Sequence, residues 1–93
     1  MFGSLIIYSS TNGHTKRICE RISNFLDGRD PVRLVSLDDA MKLDLSNFKQ
    51  IIIGASIRYG KHNPNVLNFI KKNINILNKT KTAFFSVNVV ARK

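Results

Sequence analysis

The sequence predicts an α/β domain with a doubly wound parallel sheet, for three reasons. Strand-like and helix-like segments alternate along most of the chain. The strand-like segments, above all 50–56 with its three consecutive isoleucines, are almost continuously apolar, which indicates burial on both faces of a sheet. A loop of hydroxyl, amide and glycine residues joins the first strand to the first helix, a junction that is typical of phosphate sites.

The first half of the chain predicts a strand, a helix and a second strand. Residues 4–9 form the first strand, and 14–26 form a helix that ends before Gly28, a C-cap glycine. The apolar residues of this helix follow the spacing of a one-sided helix, and they are Ile18, Ile22, Phe25 and Leu26. Pro31 then precedes the second strand, 32–37.

The second half predicts a strand, a helix and a strand. Residues 50–56 form the third strand and 82–87 the fourth. Asn63 and Pro64 suit the N-cap and first position of the helix between them. Its apolar positions are Val66, Leu67, Ile70, Ile74 and Leu77. The second and third strands are joined by a loop of about ten residues without a clear helix, which is short for a parallel crossover. The alternative is therefore an antiparallel, ferredoxin-like sheet, but the third strand lacks the polar alternation of a sheet with one solvated face.

Length and composition indicate one small cytoplasmic domain. The chain has 93 residues, shows no signal peptide and contains no apolar run near the ~20 residues that span a bilayer. The single cysteine, Cys19, cannot form an internal disulfide, and its spacing from Ile22 and Leu26 predicts a core position. No cluster has metal-ligand spacing, and no pattern identifies a catalytic acid or base.

The net charge of +9 comes entirely from the second half of the chain. All six acidic residues precede residue 45, whereas nine Lys or Arg and no acid follow it. This imbalance suits an anionic membrane surface, a polyanion or an acidic substrate, or else an ordinary solvated basic surface.

The loop after the first strand resembles the phosphate loop of flavodoxin-like flavoproteins. Two further segments, 53–60 and 83–93, resemble the menaquinone-dependent protoporphyrinogen IX dehydrogenases of bacterial haem synthesis. The resemblance covers nearly the whole chain and implies the flavodoxin-like fold, with strand order 2-1-3-4 up to the fourth strand. Members of that family are nearly twice as long. We therefore expect residues 1–93 to be the N-terminal part of a single FMN-binding domain, because an open fourth strand would be an unpaired apolar edge.

The resemblance also implies an FMN site with three parts. The phosphate would bind the loop Ser10, Thr11, Asn12, Gly13, His14 and Thr15. The flavin ring would lie beside Ser56, Arg58, Tyr59 and Gly60 on one side and Ser86, Val87 and Asn88 on the other. Without a flavin, the loop would only cap the helix N-terminus and Tyr59 would only cover the edge of the sheet. The segment 86–88 would then be a turn that ends the fourth strand.

The function implied is oxidation of protoporphyrinogen IX by a quinone such as menaquinone, at the cytoplasmic side of the inner membrane. The implied partners are an anionic membrane surface and a complementary C-terminal half or a second copy of the chain. One alternative is a flavodoxin-type electron carrier, although such carriers tend to be acidic. Another is a basic anion-binding or nucleic-acid-binding remnant without flavin, but core packing explains the aromatic residues better than base stacking does.

Overall fold

The computed structural model describes residues 2–9, 13–26, 31–58, 61–62 and 64–89. The strands in these residues are β1 (Phe2–Ser9), β2 (Val32–Ser36), β3 (Phe48–Arg58), β4 (Lys61–His62) and β5 (Lys81–Val89). The helices are α1 (His14–Leu26), α2 (Leu37–Ala40), α3 (Pro64–Lys72) and α4 (Ile74–Lys79), with a 3₁₀ turn at Leu45–Asn47. No helix in these ranges is both long and apolar enough to cross a membrane.

The central sheet is parallel and has the order β2-β1-β3-β5. Ile6 in β1 pairs with Leu34 in β2 and Ile52 in β3, and Ile52 pairs in turn with Ala83 in β5. Because β5 is the predicted fourth strand, this arrangement confirms the doubly wound order 2-1-3-4. It also excludes the antiparallel alternative.

Helices cover both faces of the sheet, as the apolar strands predict. On one face, Leu5 and Ile7 of β1 pack with Val66 and Phe69 of α3 and with Leu77 of α4. On the opposite face, the intervening strand residues Ile6 and Ile52 pack against Cys19 of α1. Ile22 and Leu26 of the same helix pack beside them. Burial on both faces explains why the third strand shows no polar alternation.

The buried stripe of α1 differs from the predicted one. Thr15 and Cys19 are buried and Ile22 and Leu26 half-buried, whereas Phe25 is 81% exposed and Ile18 is also exposed. The prediction that Cys19 belongs to the core is therefore confirmed, whereas Ile18 and Phe25 of the predicted stripe are not buried by residues 1–93. The helix is rotated so that the stripe begins at a polar residue, Thr15.

The β2–β3 crossover contains two short helical turns, where the sequence predicts a loop. Ser36 caps α2 by accepting a hydrogen bond from the Asp39 backbone N–H (3.2 Å). Asp44 caps the 3₁₀ turn through the Ser46 N–H (3.1 Å) and hydroxyl (2.6 Å), and these bonds lower the pKa of its carboxyl. The turns let a short crossover bury Leu37 and Leu45 under the sheet.

The single helix predicted after Pro64 is divided at Asn73. The backbone N–H of Asn73 donates to the carbonyls of Phe69 (3.1 Å) and Ile70 (3.2 Å), and its side-chain Nδ2 also donates to Phe69 (2.9 Å). A side chain that competes in this way for a backbone carbonyl disturbs helix geometry. Of the predicted apolar positions, Val66 and Leu77 are buried and Ile70 is half-buried, whereas Leu67 and Ile74 are exposed.

Candidate functional site

The carboxyl ends of β1, β3 and β5 lie side by side. Ser9 at the end of β1 pairs with Ala55 in β3, and Ala55 pairs with Ser86 in β5. The described strand ends that adjoin the three predicted site segments therefore meet at one edge of the sheet. They lie at the point between β1 and β3 where the strand order reverses, which is where ligands bind in doubly wound sheets.

The turn from β1 into α1 reaches the helix through a glycine in the left-handed region. Gly13 has a φ of 86°, a conformation that an L-residue adopts only at a steric penalty. Its carbonyl accepts a hydrogen bond from the Arg17 N–H (3.0 Å), which begins the helix. Ser10, Thr11 and Asn12, the other predicted loop residues, lie outside the described residues. His14 is exposed in the first helical turn.

Thr15 carries a buried hydroxyl without a hydrogen-bond partner. The residue is fully buried, and its Oγ1 has no partner among the residues that the structure describes. An unsatisfied buried polar group typically costs about 1–3 kcal/mol. Thr15 lies two residues after Gly13, in the helical turn whose backbone N–H groups and dipole favour an anion. An oxygen of a bound phosphate would satisfy the hydroxyl.

Lys16 adds a positive charge beside this turn. Its Nζ lies 5.6 Å from the centroid of the Tyr8 ring, within the range of a cation–π interaction. Sequence reasoning did not assign Lys16 to the site, although a basic residue directly after the loop was a visible signal.

Ser56 joins the ends of β1 and β3. Its side chain is buried, and its hydroxyl donates to the Ser9 carbonyl (3.2 Å), so the structure gives it a bond that fixes the spacing of the two strand ends. Arg58 is the last residue of β3, and Tyr59 and Gly60 lie outside the described residues. Residues Lys61 and His62 then return antiparallel to β3, forming a strand too short to be visible in the sequence.

Ser86, Val87 and Asn88 occupy the end of β5. The sequence placed them at the tip of the fourth strand and beyond it, but β5 extends to Val89, so all three lie within the strand. Ser86 is exposed and Val87 is half-buried. The strand is longer than predicted because β3 continues to Arg58 and provides pairing partners as far as Val89.

Beneath the site, β3 and α1 approach each other closely at Gly54. A Cβ at this position would overlap the Phe85 ring and lie 3.0 Å from the Cys19 Sγ. A larger residue at this position would therefore require the Phe85 ring to move. Burial, with a smaller effect from Glu20, raises the pKa of the Cys19 thiol from 9.0 to about 11.

The pKa of Cys19 predicts that alkaline pH destabilises the folded protein. The thiol of an unfolded chain ionises near pH 9, whereas the folded one holds its proton to about pH 11, so the free energy of unfolding should fall as pH rises between these values. Urea unfolding at intervals from pH 8 to 11 should show a steeper loss for the wild type than for Cys19→Ala. Equal slopes would contradict the assignment.

Comparison with known proteins identifies similar sequences and folds. The family model described as flavodoxin domain matches residues 5–93. Over 91 residues the chain is 38% identical to the protoporphyrinogen IX dehydrogenase [quinone] of Leishmania major and 33% identical to that of Escherichia coli K12. These alignments cover 96% and 97% of this chain. They cover 39% and 50% of the relatives, so the chain spans half or less of their length.

Solved structures show the same architecture. A Fusobacterium nucleatum flavodoxin bound to flavin mononucleotide superposes with a TM-score of 0.74 at 20% identity, over 95% of this chain and 53% of that one. Oxidised flavodoxin 2 from Bacillus cereus gives 0.70 at 26% identity, over 98% and 64%. These similarities support the flavodoxin-like parallel sheet, and both flavodoxins are longer than this chain.

Proposed function

We propose, since this chain belongs to the flavodoxin-domain family, that it forms the N-terminal part of an FMN-dependent protoporphyrinogen IX dehydrogenase with a quinone as electron acceptor. The main support is the βα turn, where Gly13 and the unsatisfied Thr15 hydroxyl fit a phosphate next to the converging ends of β3 and β5. The sequence identity to two enzymes of that name supports this reaction, which would be a step of haem biosynthesis.

The residues of this chain would hold FMN in two ways. The phosphate would bind the turn 10–15, where the Thr15 hydroxyl donates to a phosphate oxygen and Lys16 adds a positive charge. The flavin ring would lie between the ends of β3 and β5, beside Ser56, Arg58, Tyr59 and Gly60 on one side and Ser86, Val87 and Asn88 on the other. Bound FMN would supply the redox chemistry, taking hydrogen from the porphyrinogen and passing electrons to the quinone.

Two exposed apolar regions favour the view that residues 1–93 are part of a longer domain. In the described part of the chain β5 pairs only with β3, and Phe84 on this strand is 46% exposed. On the other side of the sheet, Phe25 of α1 is 81% exposed. Since the chain aligns with half or less of its relatives, we propose that the C-terminal part of the domain covers both regions. If this chain sediments as a dimer in the ultracentrifuge, a second copy of the chain covers the two apolar regions instead.

The reaction can be tested by joining this chain to the C-terminal half of its Escherichia coli relative. The FMN-loaded protein should convert protoporphyrinogen IX to fluorescent protoporphyrin IX under anaerobic conditions only when a menaquinone analogue is present. Flavin binding without porphyrin formation would refute the dehydrogenase assignment and favour an electron carrier.

A basic surface on α3 and α4 suits peripheral contact with an anionic membrane. Lys71 and Lys72 are exposed beside Leu67, which is 52% exposed, and Ile74, which is 42% exposed. No acidic residue occurs after Asp44 in the sequence. Exposed lysines next to apolar side chains bind anionic lipid surfaces, at about 1 kcal/mol for each basic residue.

The membrane proposal predicts a loss of liposome binding when this surface is reversed in charge. Lys71→Glu with Lys72→Glu should abolish co-sedimentation with vesicles that contain anionic lipid. The control, Arg21→Glu with Arg33→Glu, makes the same charge change at exposed positions on α1 and β2 and should retain binding. Equal losses in both double variants would show that only net charge matters.

A further inference from the structure

A polar cleft of about 380 Å³ lies beside the phosphate turn, on the side toward β2. Its walls include Tyr8 from β1, Gly13 and Lys16 from the start of α1, and Ser36 and Asp38 from the end of β2 and the start of α2. The cleft lies between β1 and β2, whereas the proposed flavin ring site lies between β3 and β5. Asn65 of α3 forms a further wall, and none of the described residues that line the cleft belongs to β3 or β5.

The cleft has opposite charges on different walls. Lys16, which lies over the Tyr8 ring, is next to the turn that suits a phosphate. Asp38 follows the carboxyl end of β2 and is exposed. The Ser36 hydroxyl, although it accepts a hydrogen bond from the Asp39 N–H, keeps its own proton available to donate. A ligand that fits these walls has an anionic end and, elsewhere in the same molecule, hydroxyl groups that donate to a carboxylate.

We propose that this cleft binds a nucleoside 5′-phosphate, with its phosphate near Lys16 and its ribose hydroxyls on Asp38. In doubly wound sheets an acidic residue near the end of the second strand can bind the ribose of a nucleotide whose phosphate lies at the first βα turn. A volume of about 380 Å³ is within the range of small-molecule sites and exceeds the need of a phosphate alone. The inference rests on the proposed function for the role of the phosphate turn.

The nucleotide can come from two sources, which two titrations distinguish. FAD would place its adenosine phosphate in the cleft while its flavin half occupies the FMN site, so FAD should bind at least as tightly as FMN. A separate nucleotide would bind beside FMN, with Lys16 near both phosphates, so ADP should bind to the FMN-loaded protein but more weakly than to the flavin-free protein. Asp38→Asn should weaken the binding of FAD or ADP, whichever binds, about tenfold, because the hydrogen bonds to the carboxylate are lost. The affinity for FMN should stay within about twofold of the wild type.

Adjacent residues provide matched controls. Lys16→Gln should weaken binding of this nucleotide and of FMN, because Lys16 is proposed to lie near both phosphates. Asp39→Asn and Arg17→Gln make the same charge changes at residues that do not line the cleft. The control variants should bind ADP or FAD as the wild type does. The inference is overturned if FMN binds while FAD binds more weakly and ADP does not bind, or if the Asp38 variant matches its Asp39 control. Failure of FMN itself to bind would instead refute the proposed cofactor site, and the inference with it.

Discussion

Replacing Thr15 with valine should stabilise the flavin-free protein and at the same time weaken FMN binding. Valine has nearly the same shape and removes a buried hydroxyl that has no partner in the described part of the chain, so the free energy of unfolding should rise by about 1 kcal/mol. The same hydroxyl is the proposed donor to the phosphate, and its loss should weaken FMN binding about tenfold. Urea unfolding and quenching of flavin fluorescence measure the two effects.

Thr82 provides the control for this substitution. Its hydroxyl lies 3.0 Å from the carbonyl oxygens of both Leu77 and Thr80, so Thr82→Val should lower stability by about 0.5–1.5 kcal/mol and leave FMN affinity unchanged. Opposite signs of the two stability changes would show that the Thr15 hydroxyl contributes to phosphate binding and not to the stability of the fold. If Thr15→Val left FMN affinity unchanged, the assignment of this hydroxyl to the phosphate would be wrong.

Replacing Gly54 with valine should destabilise the fold by about 1–3 kcal/mol, the usual effect of overpacking a core. The new side chain would overlap the Phe85 ring of β5 and crowd the Cys19 thiol of α1, so the ring and α1 would both have to shift. The decrease should appear as a lower urea midpoint. Phe85→Ala should relieve part of the overlap, so the double variant should be more stable than the sum of the single effects predicts. Additive effects would show that the overlap is relieved elsewhere.

The parallel sheet was predictable from the sequence because a central parallel strand is buried, and therefore apolar, on both faces. The run Ile51 to Ile53 could not form a half-solvated strand, and its pairing with both β1 and β5 confirms this reasoning. The break at Asn73 was not predictable in the same way. No glycine or proline marks it, and it depends on a side-chain amide that reaches the Phe69 carbonyl.

The rotation of α1 shows how part of the site was missed. A stripe through Ile18, Ile22, Phe25 and Leu26 and a stripe through Thr15, Cys19, Ile22 and Leu26 both have helical spacing. Hydrophobicity favoured the first, but packing against Ile6 and Ile52 selects the second. The sequence signal for the buried hydroxyl was a threonine, Thr15, at the start of the second stripe. Lys16 and Asp38 were missed because their proximity arises only from the fold.

The central proposal is that the βα turn binds the phosphate of a flavin whose ring lies at the ends of β3 and β5. Calorimetric titration with FMN and with riboflavin, which lacks only the phosphate, tests it most directly. We predict that FMN binds at least about tenfold more tightly, because charge-assisted hydrogen bonds to the phosphate are available only to FMN. Equal affinities for the two flavins, or no binding of either, would contradict the proposal.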